Sequence, residues 1–176
     1  REGFYKNRYI GRTFIMPGQE QRSKSVKQKL NAMSSEFKGK NVLIVDDSIV
    51  RGTTSMKIVE MMRDAGATEV HFRVASPPTA HSCYYGVDTP ERSKLLAARM
   101  ELEPMREFIK ADSLAFISID GLYRAVGRES RDKACPQFCD ACFTGDYPTR
   151  LTDFTRNQQG AAQLSFPENK PANKVA

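Results

Sequence analysis

Four apolar residues, Val42-Leu43-Ile44-Val45, run straight into the acid pair Asp46-Asp47, and a short loop, Ser48-Ile49-Val50-Arg51-Gly52, then leads into Thr53-Thr54. A continuous, largely β-branched run reads as a buried parallel strand. Open α/β sheets bind ligands at the carboxyl ends of their strands, where Asp46 and Asp47 fall. Thr53, Thr54 and Ser55 then open a helix whose N-terminal N–H groups and hydroxyls suit an anion, most often a phosphate. Two carboxylates would repel a phosphate unless something neutral or positive lay between them. A ribose meets that condition, with its hydroxyls on Asp46 and Asp47 and its 5′-phosphate in the loop 48–54. A magnesium ion beside the acids is expected too, because it prefers oxygen ligands and phosphorylated substrates. Either aspartate alone reads more simply as a cap on the next helix. The order of strand, acid pair, small-residue loop and threonines favours the sugar-phosphate site.

The length of 176 residues suits one domain with a real core. No apolar run reaches the ~18 residues that a membrane span requires. The charged, polar start shows no signal peptide, and a cytoplasmic setting is expected. The chain begins at Arg1 rather than Met, as a fragment or a processed product would. The net charge of +6 is unevenly spread: residues 1–30 hold eight Lys or Arg against two acids, and the remainder holds nineteen of each sign. A basic, flexible segment with Phe4, Tyr5, Tyr9 and Phe14 could bind nucleic acid or form a solvated loop. The acid pair downstream favours a third reading, a lid closing over a strongly anionic leaving group.

A coarse pass places the remaining elements. A short basic helix is expected over 22–30, a turn at Gly39, a strand over 41–46 and a helix over 53–64. Ile58, Met61, Met62 and Ala65 share one face of that helix, and Gly66 caps it. A second strand follows over 70–75 in a βαβ unit and is broken by Pro77-Pro78. Two helices, 91–100 and 104–111, are interrupted near Pro104. A strand over 114–117 and a helix over 119–126, with Leu122 and Val126 inward, complete the pattern. From about 152 the chain loses apolar periodicity and reads as a mobile tail, 151–176. The cysteines are Cys83, Cys135, Cys139 and Cys142. Disulfides do not suit a chain of cytosolic character. The spacing Cys139-x-x-Cys142 leaves a metal site, a redox pair and free thiols equally open.

Several stretches together resemble the amidophosphoribosyltransferase family. They are Lys6-Asn7-Arg8-Tyr9-Ile10-Gly11-Arg12-Thr13-Phe14, Ser25-Val26-Lys27-Gln28-Lys29-Leu30-Asn31, the string 42–54, and Cys83-Tyr84-Tyr85-Gly86-Val87-Asp88. The resemblance covers about residues 1–150. It implies the C-terminal portion of a type I phosphoribosyltransferase domain, an α/β fold with a mostly parallel sheet flanked by helices, incomplete here. The string 42–54 would be the motif that binds phosphoribosyl pyrophosphate (PRPP). Asp46, Asp47, Ser48, Ile49, Val50, Arg51, Gly52, Thr53 and Thr54 would hold substrate, with magnesium at Asp46 and Asp47. Residues 1–30 would be the catalytic flexible loop, with Lys6, Arg12 and Lys29 at its basic positions.

The resemblance also turns the thiols toward iron and sulfur. One branch of the family carries a structural [4Fe–4S] cluster on four cysteines. Cys139 and Cys142, before Thr144-Gly145-Asp146-Tyr147-Pro148, and Cys83 would be three ligands within a cysteine segment, 135–150. The fourth would lie upstream of Arg1. The implied reaction is the first step of purine (IMP) biosynthesis: PRPP, glutamine and water give phosphoribosylamine, pyrophosphate and glutamate. Ammonia would come from an N-terminal glutaminase domain absent from this chain, so the chain alone is expected to be inactive. Purine nucleotide inhibitors and a homo-oligomer are implied as well. A salvage phosphoribosyltransferase would share the string 42–54 but not the basic lid together with the CxxC. A nucleic-acid module with zinc would leave the acid pair unexplained, so no nucleic-acid partner and no membrane are expected.

Overall fold

The computed structural model describes residues 2–6 and 30–149. The short strands β1 (Phe4–Lys6) and β2 (Leu30–Ala32) pair antiparallel, with Lys6 opposite Leu30. The helical turn α1 (Ser34–Phe37) follows, and Phe37 is buried with its ring 5.2 Å from that of Phe4. Leu30 therefore starts a strand, where a basic helix over 22–30 was expected. The rest of that stretch lies outside the described residues.

The central sheet has three parallel strands in the order β3 (Asn41–Asp46), β4 (Glu69–Val74) and β5 (Ser113–Phe116). The helix α2 (Thr53–Asp64) joins β3 to β4. Its Ser55, Val59 and Met62 recur at helical spacing and are buried. Gly66, at φ +95°, follows its end, as a left-handed residue just past a helix should. Val70, Phe72 and Val74 of β4 face the same side and are almost fully buried. Each large side chain buried in this layer contributes about 1.5–3 kcal/mol.

Between β4 and β5 run a 3₁₀ turn (Arg92–Lys94), α3 (Leu96–Arg99) and α4 (Leu102–Ile109). The helices break at Met100-Glu101, and Pro104 sits inside the first turn of α4. A proline there forfeits no helical hydrogen bond, because first-turn N–H groups have no partner within the helix. After β5, Ser118 caps α5 (Ile119–Ala125) by accepting from the Gly121 N–H at 3.0 Å. The buried residue of α5 is Tyr123. Val126, expected inward, is 54% exposed. The last described element is α6 (Ala141–Thr144).

β3 departs from the fully buried strand that its composition suggests. Among the described residues it is an edge strand, and its burial alternates along its length. Val42 and Ile44 pack on the core, whereas Leu43 and Val45 are 61% and 70% exposed. Among the described residues, α2 and α4 supply the cover on one face of the sheet, and nothing comparable covers Leu43 and Val45.

The turn between β3 and α2 is set by Gly52. It has φ +74°, and a Cβ there would stand 2.6 Å from Leu96 Cδ2 and 3.0 Å from Phe108 Cε1. The Leu96 N–H donates to the Val50 carbonyl at 2.8 Å, so α3 holds the loop from behind. Gly52→Ala is expected to cost about 1–3 kcal/mol through strained backbone and displaced core side chains. Urea denaturation measures that loss.

At the other end of the sheet, Asp112 ties β4 to α2. Its Oδ2 accepts from the Val70 N–H at 2.6 Å and from Arg63 Nη2 at 2.8 Å. The Val70 N–H, against a small burial penalty and with help from Arg63, holds this carboxyl below the usual aspartate range. The stabilisation is therefore full at neutral pH and is lost as pH falls through that lowered value. Asp112→Ala should cost about 1 kcal/mol at pH 7, discounted for the exposure of the pair. Stability measured in steps from pH 7 down to pH 3 should show wild type and variant converging at the acid end.

Candidate functional site

The acid pair lies at the carboxyl end of β3. The Asp46 carbonyl continues the ladder by accepting from the Ala75 N–H at 2.9 Å. The Asp46 carboxylate accepts from the Asp47 N–H at 3.1 Å, and Ser48 Oγ donates to Asp47 Oδ1 at 2.9 Å. Burial pushes the Asp46 carboxyl up, its bond from the Asp47 N–H pulls it back, and the Asp47 charge pushes it up again. Ionised Asp46 thus carries an electrostatic cost that a ribose hydroxyl or a hard cation would relieve. Both acids offer oxygen alone, the donor type that magnesium takes, usually from one or two carboxylates while keeping several waters.

The loop divides its labour. Ile49 is 2% exposed and belongs to the core, so only its backbone is available to a ligand. Val50 is tied to α3 through its carbonyl, and Gly52 supplies the left-handed turn. The Gly52 carbonyl accepts the Met56 N–H at 2.9 Å and so opens α2. Thr53 and Thr54 occupy the first turn of α2 and are half-buried, while Ser55 behind them is 3% exposed. Ser48, Arg51, Thr53 and Thr54 can therefore present side chains together with first-turn N–H groups. A helix start with such groups, beside two carboxylates, is of the kind that can receive an anion. A further group was invisible in the sequence: Ser76 Oγ is buried and has no hydrogen-bond partner among the described residues. It lies one residue beyond Ala75, which bonds β3 at Asp46.

Lys6 closes β1, where its backbone pairs with β2. Arg12 and Lys29 lie outside the described residues, as does the segment 151–176 read as a tail. The paired strands β1 and β2 bracket residues 7–29, so both ends of the basic segment meet at one place.

The cysteines fall into two groups. Cys135 is exposed, and its N–H donates to Asp132 Oδ1 at 3.3 Å. Cys83 and Cys142 are half-buried and come from segments tied to each other. The Cys142 carbonyl accepts from the Ala80 and His81 N–H groups at 3.1 and 3.0 Å. The Cys83 N–H donates to Thr89 Oγ1 at 2.7 Å, and the Tyr85 N–H approaches Cys83 Sγ at 3.4 Å. Burial pushes the Cys142 thiol up, and the neighbouring Cys83 and Cys139 act in the same direction. Among the described residues no three His, Cys, Asp or Glu side chains close round a single ion. A four-iron cluster takes one thiolate per iron, so its ligand sulfurs stand wider apart than those round one ion. Thiolates are soft donors that an iron–sulfur cluster and zinc both accept, so the donor type alone does not choose between them.

The phosphoribosyl transferase domain family matches residues 7–92. The amidophosphoribosyltransferase of Rhizobium etli is 57% identical over 159 residues, which is 90% of this chain and 32% of that protein. The Bacillus subtilis amidophosphoribosyltransferase is 52% identical over 85% of this chain and 31% of its own length. The solved structure of the B. subtilis glutamine PRPP amidotransferase complexed with ADP and GMP superposes with a TM-score of 0.71 at 52% identity, covering 86% of this chain and 33% of that one. The chain thus spans about a third of the length of the curated relatives it matches. On this identity and this fold, the chain belongs to the amidophosphoribosyltransferase family, as part of its type I phosphoribosyltransferase domain.

Proposed function

We propose that this chain supplies the ribose-phosphate half of an amidophosphoribosyltransferase active site, in an enzyme that forms phosphoribosylamine from PRPP and ammonia released from glutamine. The observation that carries the proposal is the acid pair at the end of β3, beside a glycine-turned loop and the start of α2. Asp46 and Asp47 accept hydrogen bonds from the ribose hydroxyls. Their charge also favours the positive character that grows on the sugar ring as pyrophosphate leaves. Ser48 to Thr54 hold the 5′-phosphate and so fix C1 in line for attack. Lys6, Arg12 and Lys29, carried by the basic segment whose ends meet at β1 and β2, close over the pyrophosphate and exclude water. Magnesium, when bound at Asp46 and Asp47, neutralises charge on the leaving group. No general base is needed, because ammonia is already a nucleophile.

Cys83, Cys139 and Cys142 would hold three corners of a [4Fe–4S] cluster, whose part is to tie the segment around α6 to the loop at 80–83 without entering the reaction. Purine nucleotides are proposed as inhibitors, in keeping with the ADP and GMP of the B. subtilis complex. A homo-oligomeric, cytoplasmic enzyme is the setting we infer. None of the described helices is long and apolar enough to cross a membrane.

Pyrophosphate release from PRPP, followed in the full-length enzyme with magnesium and either ammonia or glutamine, tests this reading. The double variant Asp46→Asn, Asp47→Asn should lower kcat by at least about a hundredfold with either donor. Release that persists in the variant, or that requires a free nucleobase in place of an amine, would overturn it.

A further inference from the structure

The segment 132–139 is exposed throughout, and α6 is only four residues long. Apolar burial cannot fix the geometry of such a stretch, since Ala141 is its one buried hydrophobic side chain among the described residues. Its buried polar residue is Asp140, which sits between Cys139 and Cys142 and is 4% exposed. Arg131 donates to this carboxylate from two nitrogens, Nε to Oδ2 at 2.5 Å and Nη2 to Oδ1 at 3.2 Å. Tyr123 of α5 donates its hydroxyl to Oδ2 at 3.0 Å, and Thr144 Oγ1 donates to Oδ1 at 3.2 Å. Arg131 Nη2 reaches Asp146 Oδ2 at 2.9 Å as well, so one guanidinium grips the chain on both sides of Cys142.

Replacing a buried ion pair with apolar residues is often neutral or stabilising, so the net stability it supplies does not explain this arrangement. What a planar, forked guanidinium adds is direction. The direction matters because α6 also docks elsewhere. The Cys142 carbonyl accepts two N–H groups from Ala80 and His81. Gly145, at φ +79°, lies against His81 so closely that a Cβ would stand 2.9 Å from the imidazole ring. Cys142 is thereby held on the loop that carries Cys83.

We propose that Arg131, Asp140 and Tyr123 are positioning residues that hold Cys139 and Cys142 against Cys83, so that the thiols are assembled before any cluster binds. The proposal rests on the cluster reading for its purpose. The geometry itself is a property of this chain's own residues. Groups that orient metal ligands typically change metal affinity by about 10- to 100-fold when removed.

The test uses the full-length protein purified without oxygen, in wild-type form and as Arg131→Gln, Asp140→Asn and Tyr123→Phe. Two quantities are read. One is the rate of iron release to a chelator, with iron and acid-labile sulfide counted per chain. The other, on metal-free protein, is bridging of Cys83 to Cys142 by dibromobimane, identified by mass spectrometry of the joined peptides. Arg131→Gln and Asp140→Asn should release iron about 10- to 100-fold faster and lose most of the bridging. Tyr123→Phe removes one hydroxyl from a buried ring, and it should accelerate release by a smaller factor. If the charge variants fail to fold, Tyr123→Phe decides the matter. Iron release and bridging equal to wild type in the folded variants would overturn the proposal. A wild-type protein that holds no iron, yet bridges in a manner dependent on Arg131, would overturn the cluster reading and leave the positioning role standing.

Discussion

The turn at Gly52 is the constraint from which the site follows. Its left-handed backbone lets the chain reverse from β3 into α2 within the space closed by Leu96 and Phe108. Any side chain at that position would push the turn off the core. With the turn in place, the strand ends on two carboxylates and the helix begins on two threonines. The bond from Leu96 to the Val50 carbonyl fixes the loop from beneath. The acid pair and the first turn of α2 are thereby kept a few residues apart.

This arrangement sets unlike electrostatic demands side by side. Asp46 is raised by burial and by its neighbour's charge, so it gains from any hydroxyl or cation that approaches. First-turn N–H groups gain from an anion. A sugar phosphate meets both demands at once, whereas an isolated phosphate or an isolated cation meets one. The two ends of the basic segment are brought together by the β1–β2 pair. The cysteine segment follows other physics. It has almost no apolar core, and its shape depends on a buried carboxylate gripped by a forked guanidinium.

Much of the fold was legible because β3, α2, β4, β5 and α5 each carry a strong local pattern. Their bounds differ from expectation by a residue or so. The failures have common causes. Val42 to Val45 have the composition of a strand buried on both sides, but composition does not reveal whether a second layer lies over Leu43 and Val45. Pro104 looks like a helix breaker, yet a first-turn proline is harmless and the break falls at Met100-Glu101. Val126 fits the helical spacing of α5, but the chain turns at Gly127 before that position can face the core, and Tyr123 is buried instead. β1 and β2 are three residues each, too short for a periodic signal, and only their mutual pairing makes them strands.

The sequence by itself determined the order of chemistry along the chain: strand, acid pair, small-residue loop, threonines, and farther on a CxxC. Those are local matters, decided by backbone preference and side-chain type. Tertiary structure decided which distant groups meet. Cys83 was brought to Cys142 by two hydrogen bonds from the loop at 80–81 to a carbonyl about sixty residues away. Asp140, an acid between two cysteines in the sequence, became the buried centre of a knot with Arg131 and Tyr123. A charged side chain enters a protein interior only when a partner meets it there. The identity of that partner depends on how helices and loops pack in three dimensions, which no local spacing records.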